Sequence, residues 1–255
     1  MQGSCLCSAV VFEVTPPMRD AVACHCTQCR KVSGHYWAAA SVPMEGFRVV
    51  RGDGLAWYRS SSTATRGFCR SCGATLFWKP DGEDRMSFSP GALEEPTGLK
   101  VAEHIFAGDA GDYYAPEGPP PAPSPAPPVL QASCLCDAVR FTVPRPQGGI
   151  TACHCTQCRK LSGHYAASFD ADEAQLQFGS RGTLAEYETS GGAQRGFCTG
   201  CGSSLYFRAA DGAFSVEAGA VDGPTGSSLT GHIHMADAGD YYVSDDGLPR
   251  FSGAE

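Results

Sequence analysis

Short runs of alternating apolar and polar residues, interrupted by glycine-rich turns, dominate this chain. Val139-Arg140-Phe141-Thr142-Val143 alternates as a half-buried strand does, and Ala9–Val14 is a more apolar run of the same kind. Further strand candidates are Phe47–Val50, Leu55–Arg59, Thr75–Trp78 and Arg85–Phe88. Their counterparts are Leu176–Phe178, Leu184–Tyr187, Ser204–Phe207 and Phe214–Glu217. Only one kind of helical turn is predicted, around Cys26–Ser33. The pattern therefore predicts an all-β protein.

The elements come in two sets because the chain is duplicated. Cys24-His25-Cys26-Thr27-Gln28-Cys29-Arg30-Lys31 returns unchanged 129 positions later as Cys153-His154-Cys155-Thr156-Gln157-Cys158-Arg159-Lys160. All 14 cysteines obey the same offset, seven in each half. A repeat this long means two complete domains in tandem, not the stacked units of a solenoid. Between the halves, Ala115–Leu130 holds eight prolines in sixteen positions. Such a run cannot bury a core and reads as an extended polyproline spacer, its position favouring a linker over a proline-rich recognition ligand. The expected organisation is a first domain over 1–115, a linker over 116–129 and a second domain over 130–255.

Charge and apolar content narrow the partners. The net charge of −8 is unevenly spread: residues 1–115 carry 11 basic against 12 acidic groups, residues 130–255 carry 8 against 14. An acidic chain is poorly suited to non-specific nucleic-acid binding, which depends on neutralising phosphates. No segment reaches the ~18 consecutive apolar residues of a membrane span, so no membrane partner is expected. Met1-Gln2-Gly3-Ser4-Cys5 lacks the basic and apolar regions of a secretory signal. A reducing, cytoplasmic setting is therefore expected. Seven cysteines per half agree with it, since an odd number cannot pair completely within one domain.

The cysteines divide by spacing. Cys5-x-Cys7 and Cys69-x-x-Cys72 form two short pairs far apart in sequence, as do Cys134-x-Cys136 and Cys198-x-x-Cys201. Each double pair supplies the four thiolates of a closed structural zinc. Buried free thiols or an iron centre are the alternatives. The sets Cys24, Cys26, Cys29 and Cys153, Cys155, Cys158 offer three ligands each, leaving one tetrahedral position. Either that position is open to substrate, or His25 or a distant histidine closes it, or the trio holds no metal at all. An open three-thiolate site suits a soft fourth ligand, above all a substrate thiol, better than it suits water activation. Arg30-Lys31 and Arg159-Lys160 set positive charge beside these loops, fit either to hold the carboxylates of glutathione or to sit as solvated pairs. His35 and His164, six residues past the last cysteine of each loop, read as general acid–base candidates or as structural histidines. A shared closing motif runs from His104-Ile105 to Asp112-Tyr113-Tyr114 and from His232-Ile233 to Asp240-Tyr241-Tyr242. It is either a core strand ending in packed tyrosines or part of a pocket rim.

Taken in order, C-x-C, C-H-C-x-x-C-R-K, R-G-F-C-x-x-C-G and the closing H-I…D-Y-Y resemble the glutathione-dependent formaldehyde-activating enzyme family, which includes the centromere-associated protein V. The resemblance covers nearly all of each half. It implies two tandem Mss4-like β-domains, each with a structural zinc on Cys5, Cys7, Cys69, Cys72 (or Cys134, Cys136, Cys198, Cys201) and a catalytic zinc on Cys24, Cys26, Cys29 (or Cys153, Cys155, Cys158). That is about four zincs per chain. The implied activity is that of a carbon–sulfur lyase forming S-hydroxymethylglutathione from glutathione and formaldehyde, with His35 or His164 as a candidate proton donor. The competing class is a non-catalytic zinc module for protein or nucleic-acid binding; a zinc store or thiol-redox sensor is a third.

The chain departs from the family by fusing two domains, which could pack as an internal pseudo-dimer. Its halves also differ. Trp37, Trp57 and Trp78 face Ala166, Glu186 and Phe207 at the matching positions. The two pockets are thus expected either to differ in substrate or to leave one half shaping the other.

Overall fold

The computed structural model describes residues 1–254. In the first half, β1 (Gln2–Ser4), β2 (Val11–Val14) and β3 (Arg19–Cys24) lead into helix α1 (Thr27–Ser33). Then follow β4 (Trp37–Pro43), β5 (Phe47–Arg51), β6 (Leu55–Ser61), β7 (Ala64–Cys69), β8 (Thr75–Pro80), β9 (Arg85–Phe88) and β10 (Val101–Ile105). Strands β1, β2 and β5 make a small sheet, and the other seven make a larger one in the order β10-β3-β4-β9-β8-β7-β6.

The second half repeats the plan with β11 (Val129–Ser133), β12 (Val139–Pro144), β13 (Ile150–Cys153), α2 (Thr156–Ser162) and β14 (Ala166–Asp170). It continues with β15 (Gln177–Arg181), β16 (Leu184–Glu188), β17 (Gln194–Cys198), β18 (Ser204–Arg208), β19 (Phe214–Glu217) and β20 (Leu229–Ile233). Its sheets, β11-β12-β15 and β20-β13-β14-β19-β18-β17-β16, match the first half strand for strand. The closing strands β10 and β20 run parallel to β3 and β13.

The all-β class holds, and the helix falls where the sequence placed it. Strands β3, β4 and β7 were missed as strands. Arg19–Cys24 and Trp37–Pro43 are alanine-rich and β7 contains Gly67, so their intrinsic strand preference is weak. Burial between neighbours in the larger sheet stabilises them instead. In the core, Phe12 meets Phe77 edge-on at 5.0 Å, while Phe141, Phe169 and Leu205 fill the second half.

The halves are in reciprocal contact. Tyr113, from the first half, is buried in the core of the second, and Tyr241 in that of the first. The Asp112 carboxylate accepts from the backbone N and hydroxyl of Thr225 (2.9 and 3.0 Å), as Asp240 does from Thr97 (2.7 and 2.7 Å). Where the two halves face each other, the hydroxyls of Tyr36 and Tyr165 are 3.0 Å apart.

Candidate functional site

Two kinds of cysteine cluster form in each half. In the first kind, the turn before β2 brings up Cys5 and Cys7 while the turn after β7 brings up Cys69 and Cys72. The Cys5–Cys7 and Cys7–Cys69 sulfurs are 3.6 Å apart, and the matching second-half distances are 3.5 and 3.6 Å. A disulfide needs about 2.05 Å. The edge of a tetrahedron with metal–sulfur bonds of about 2.3 Å is about 3.8 Å. All 14 cysteines are free, so their spacing fits a tetrahedral ion such as zinc rather than disulfides.

The second kind is built at the junction of β3 and α1. Cys24 ends the strand, Cys26 caps the helix and Cys29 lies in its first turn; β13 and α2 place Cys153, Cys155 and Cys158 likewise. Within each trio the sulfurs lie within 4.8 Å of one another. Hydrogen bonding among the thiols splits their proton affinities. Cys155 is pushed down to about 2 by Cys153, and Cys153 up to about 12 by Cys155. A trio in which only one sulfur ionises readily gains most from a cation that holds all three as thiolates. Four clusters of this chain could therefore hold metal ions.

Neither trio acquires a histidine ligand. His25 uses both ring nitrogens, Nδ1 toward the Tyr114 hydroxyl and Nε2 toward His104 Nδ1, each at 2.9 Å. His154 does the same with Tyr242 at 2.7 Å and His232 at 2.9 Å. Among the described residues, no histidine or carboxylate joins either trio. Arginine flanks each one instead. Arg66 Nη2 donates to Cys29 Sγ at 3.4 Å, and Arg195 Nη2 to Cys158 Sγ at 3.6 Å.

In the second half the trio opens on a cavity of about 670 Å³, within the ~300–1,000 Å³ range of small-molecule sites. The cavity is one face of the larger sheet. Cys153 pairs with Ala166, and Thr151, Ser168 and Glu217 stand in one row across β13, β14 and β19. Two residues further on, Asp170, Ser215, Phe207 and Arg195 form a second row. Because side chains alternate between faces, these rows point the same way and line the cavity together. Glu217 is 4 % exposed and its Oε2 has no partner. Burial raises its carboxyl to about 7, against a smaller downward pull from Arg195.

The other residues singled out from the sequence lie elsewhere. His35 and His164 are buried between the halves, with Nδ1 bonded to the hydroxyls of Tyr113 (2.8 Å) and Tyr241 (3.1 Å). Burial holds both well below the ordinary histidine range, so they are neutral, and neither lines the cavity. Lys31 Nζ donates to Ser133 O (3.0 Å) and Oγ (2.9 Å) and pairs with Asp222 across the interface. Lys160 reaches Ser4 Oγ at 2.7 Å, and Arg159 pairs with Glu95 at 2.7 Å. Arg30 Nε donates to Asp109 O at 3.0 Å on the surface. Three of these four cations thus tie the halves together. Arg195 and Glu217 went unassigned in the sequence, although Arg-Gly-Phe-Cys is common to both halves and Glu217 ends a strand candidate.

Duplicated β-domains, each with a four-sulfur and a three-sulfur cluster that could hold a metal ion, define a class of tandem cysteine-cluster proteins. The family model described as glutathione-dependent formaldehyde-activating enzyme matches residues 1–109 and 129–237. The chain belongs to that family, with two tandem copies of its domain. An uncharacterized lyase of Schizosaccharomyces pombe is 32% identical over 77 residues, 30% of this chain and 56% of that protein. The chain thus spans about half the length of this curated relative. A crystal structure of a Rhodobacter sphaeroides protein is 30% identical, covering 41% of this chain and 100% of its own, with a TM-score of 0.36.

Proposed function

We propose that this protein is a zinc-dependent carbon–sulfur lyase that joins glutathione, or a similar thiol, to an aldehyde such as formaldehyde and reverses that step. The observation that carries the reading is a three-cysteine cluster without a fourth protein ligand among the described residues, opening on a cavity of substrate size. The family description and the lyase name of the yeast relative support it. Cys24, Cys26, Cys29 and Cys153, Cys155, Cys158 would each hold one zinc, and the two four-cysteine clusters two more. Bound to a trio, zinc supplies a place for a substrate sulfur and favours its thiolate at neutral pH.

The chain's own residues supply the rest. The Arg195 guanidinium rests over the Phe207 ring at 4.6 Å and donates to Cys158, which fixes that sulfur and offsets negative charge gathered at the site. Phe207, Phe214 and Ile233 give the cavity apolar walls that limit water around the reacting carbon. Thr151, Ser168 and Ser215 offer hydrogen bonds to the polar body of the thiol.

The test is a cobalt-substituted chain titrated with glutathione, paired with NMR detection of the thiol–formaldehyde adduct. The expected result is a shift of the cobalt–sulfur absorption bands and adduct formation faster than the uncatalysed rate. In Cys158→Ser the catalysed component should drop by 100-fold or more, on the order of what loss of a site-forming group costs. Unchanged bands together with the uncatalysed rate would contradict the reading.

A further inference from the structure

The two trios are chemically identical but their surroundings are not. The residue paired directly across from the first cysteine is Trp37 opposite Cys24 in one half and Ala166 opposite Cys153 in the other. Directly paired residues share a face, so the indole occupies the space that Ala166 leaves open. Trp37 is 3% exposed, and its Nε1 donates to Ser89 Oγ at 2.8 Å. Ser89 stands where the second half has Glu217: each directly follows a residue matched in register, Phe88 on Ala40 and Val216 on Phe169. The cavity wall differs as well. His234 and Ala254 line it in the second half, whereas the counterpart of His234 is Phe106, a side chain 60% exposed.

We propose that turnover is confined to the second half, where Glu217 is the catalytic residue that passes a proton to and from the substrate oxygen, while Trp37 shuts the first-half trio to substrate. This rests on the thiol–aldehyde reading above and goes beyond it by assigning the proton and the half.

As the carbon–sulfur bond forms, the thiolate sulfur gives an electron pair to the carbonyl carbon. The C=O π pair moves to oxygen, and the proton on the Glu217 carboxyl moves to that oxygen. The carboxylate regains from solvent a proton equivalent to the one the thiol released on ionising, so the step balances. In the reverse direction Glu217 takes the hydroxyl proton as the carbon–sulfur bond breaks. Its environment suits both roles. It is buried, Oε2 is unpartnered, and a carboxyl raised to about 7 holds and yields a proton near neutrality. Oε2 also lies against Gly34, whose φ of 84° ends α1; a Cβ there would stand 2.8 Å from the oxygen. The first half therefore contributes the floor beneath the acid of the second.

The zinc-loaded full chain should bind one glutathione in calorimetry, not two. Ala166→Trp, which copies the first half, should abolish that binding. Glu217→Gln, which keeps shape and removes the proton, should still bind one glutathione while lowering kcat by about 100-fold. It should also erase the ionisation near neutrality from the pH profile of kcat. Two glutathiones per chain, or Glu217→Gln with unchanged kcat and profile, would overturn the inference and leave the proposed function standing. No thiol binding and no catalysed adduct in the wild type would overturn both.

Discussion

A carboxyl group buried with one oxygen unpartnered is penalised whenever it is charged, and Glu217 bears that penalty in the second half, only partly offset by Arg195 and Ser204. Its value rises from the ordinary 4.5 to about 7. The native state therefore binds more protons than the unfolded chain between those values, and stability falls as pH rises through the window. The stability is fully present below pH 4.5, and the loss above pH 7 amounts to about 3 kcal/mol. Glu217→Gln is accordingly expected to melt higher than wild type at pH 8, with the gap closing toward pH 4.5. A gap that does not change with pH in thermal melts would count against a buried, titrating carboxyl. At this scale the cysteines were legible because each cluster is assembled from short C-x-C or C-x-x-C spacings, even where two such pairs lie far apart in sequence. Arg195 and Glu217 were not, because they lie 37 and 59 positions beyond Cys158 and only sheet register brings them to it. His35 and His164 follow the cysteine loop closely in sequence, but α1 and α2 carry the chain into the contact between halves, where both side chains are buried.

The helices carry a double load at the next scale. Each begins on the three-cysteine loop and ends at the opposite half, so cluster and interface are coupled through seven residues. Gly219 donates its N–H to Gly34 O at 2.7 Å, and a Cβ on it would come within 2.3 Å of Arg30 O. Backbone cannot retreat from such a contact without shifting the helix. Gly219→Ala should therefore cost about 1–3 kcal/mol in chemical denaturation, the range of overpacked positions. A neutral result would mean that the α1 end is not held against this loop. The elements themselves were partly visible. Alternation revealed β2, β12 and several hairpin strands, and the cysteine loop marked both helices. The alanine-rich β3 and β4 stayed hidden because sheet neighbours, not local preference, make them strands.

Across the whole molecule, duplication sets the plan and divergence sets the use. Reciprocal pairs such as Asp112–Thr225 and Asp240–Thr97, with Tyr113 and Tyr241 exchanged between cores, bind the halves directly. A protease site placed in the proline-rich segment should yield two pieces that still co-elute in size-exclusion chromatography. Separation of the pieces would show that the linker, not the contact, keeps them together. The repeat was plain in the sequence, whereas the exchange of tyrosines was not, since offset alone does not say which core a side chain enters. The central claim is that each half collects one ion in a closed cage of four sulfurs and a second on three. Native mass spectrometry of the purified chain, with elemental analysis to identify the metal, tests this most directly. Four zinc ions per chain are expected, falling to three in Cys158→Ser; two ions per chain, with that variant unchanged, would overturn this assignment.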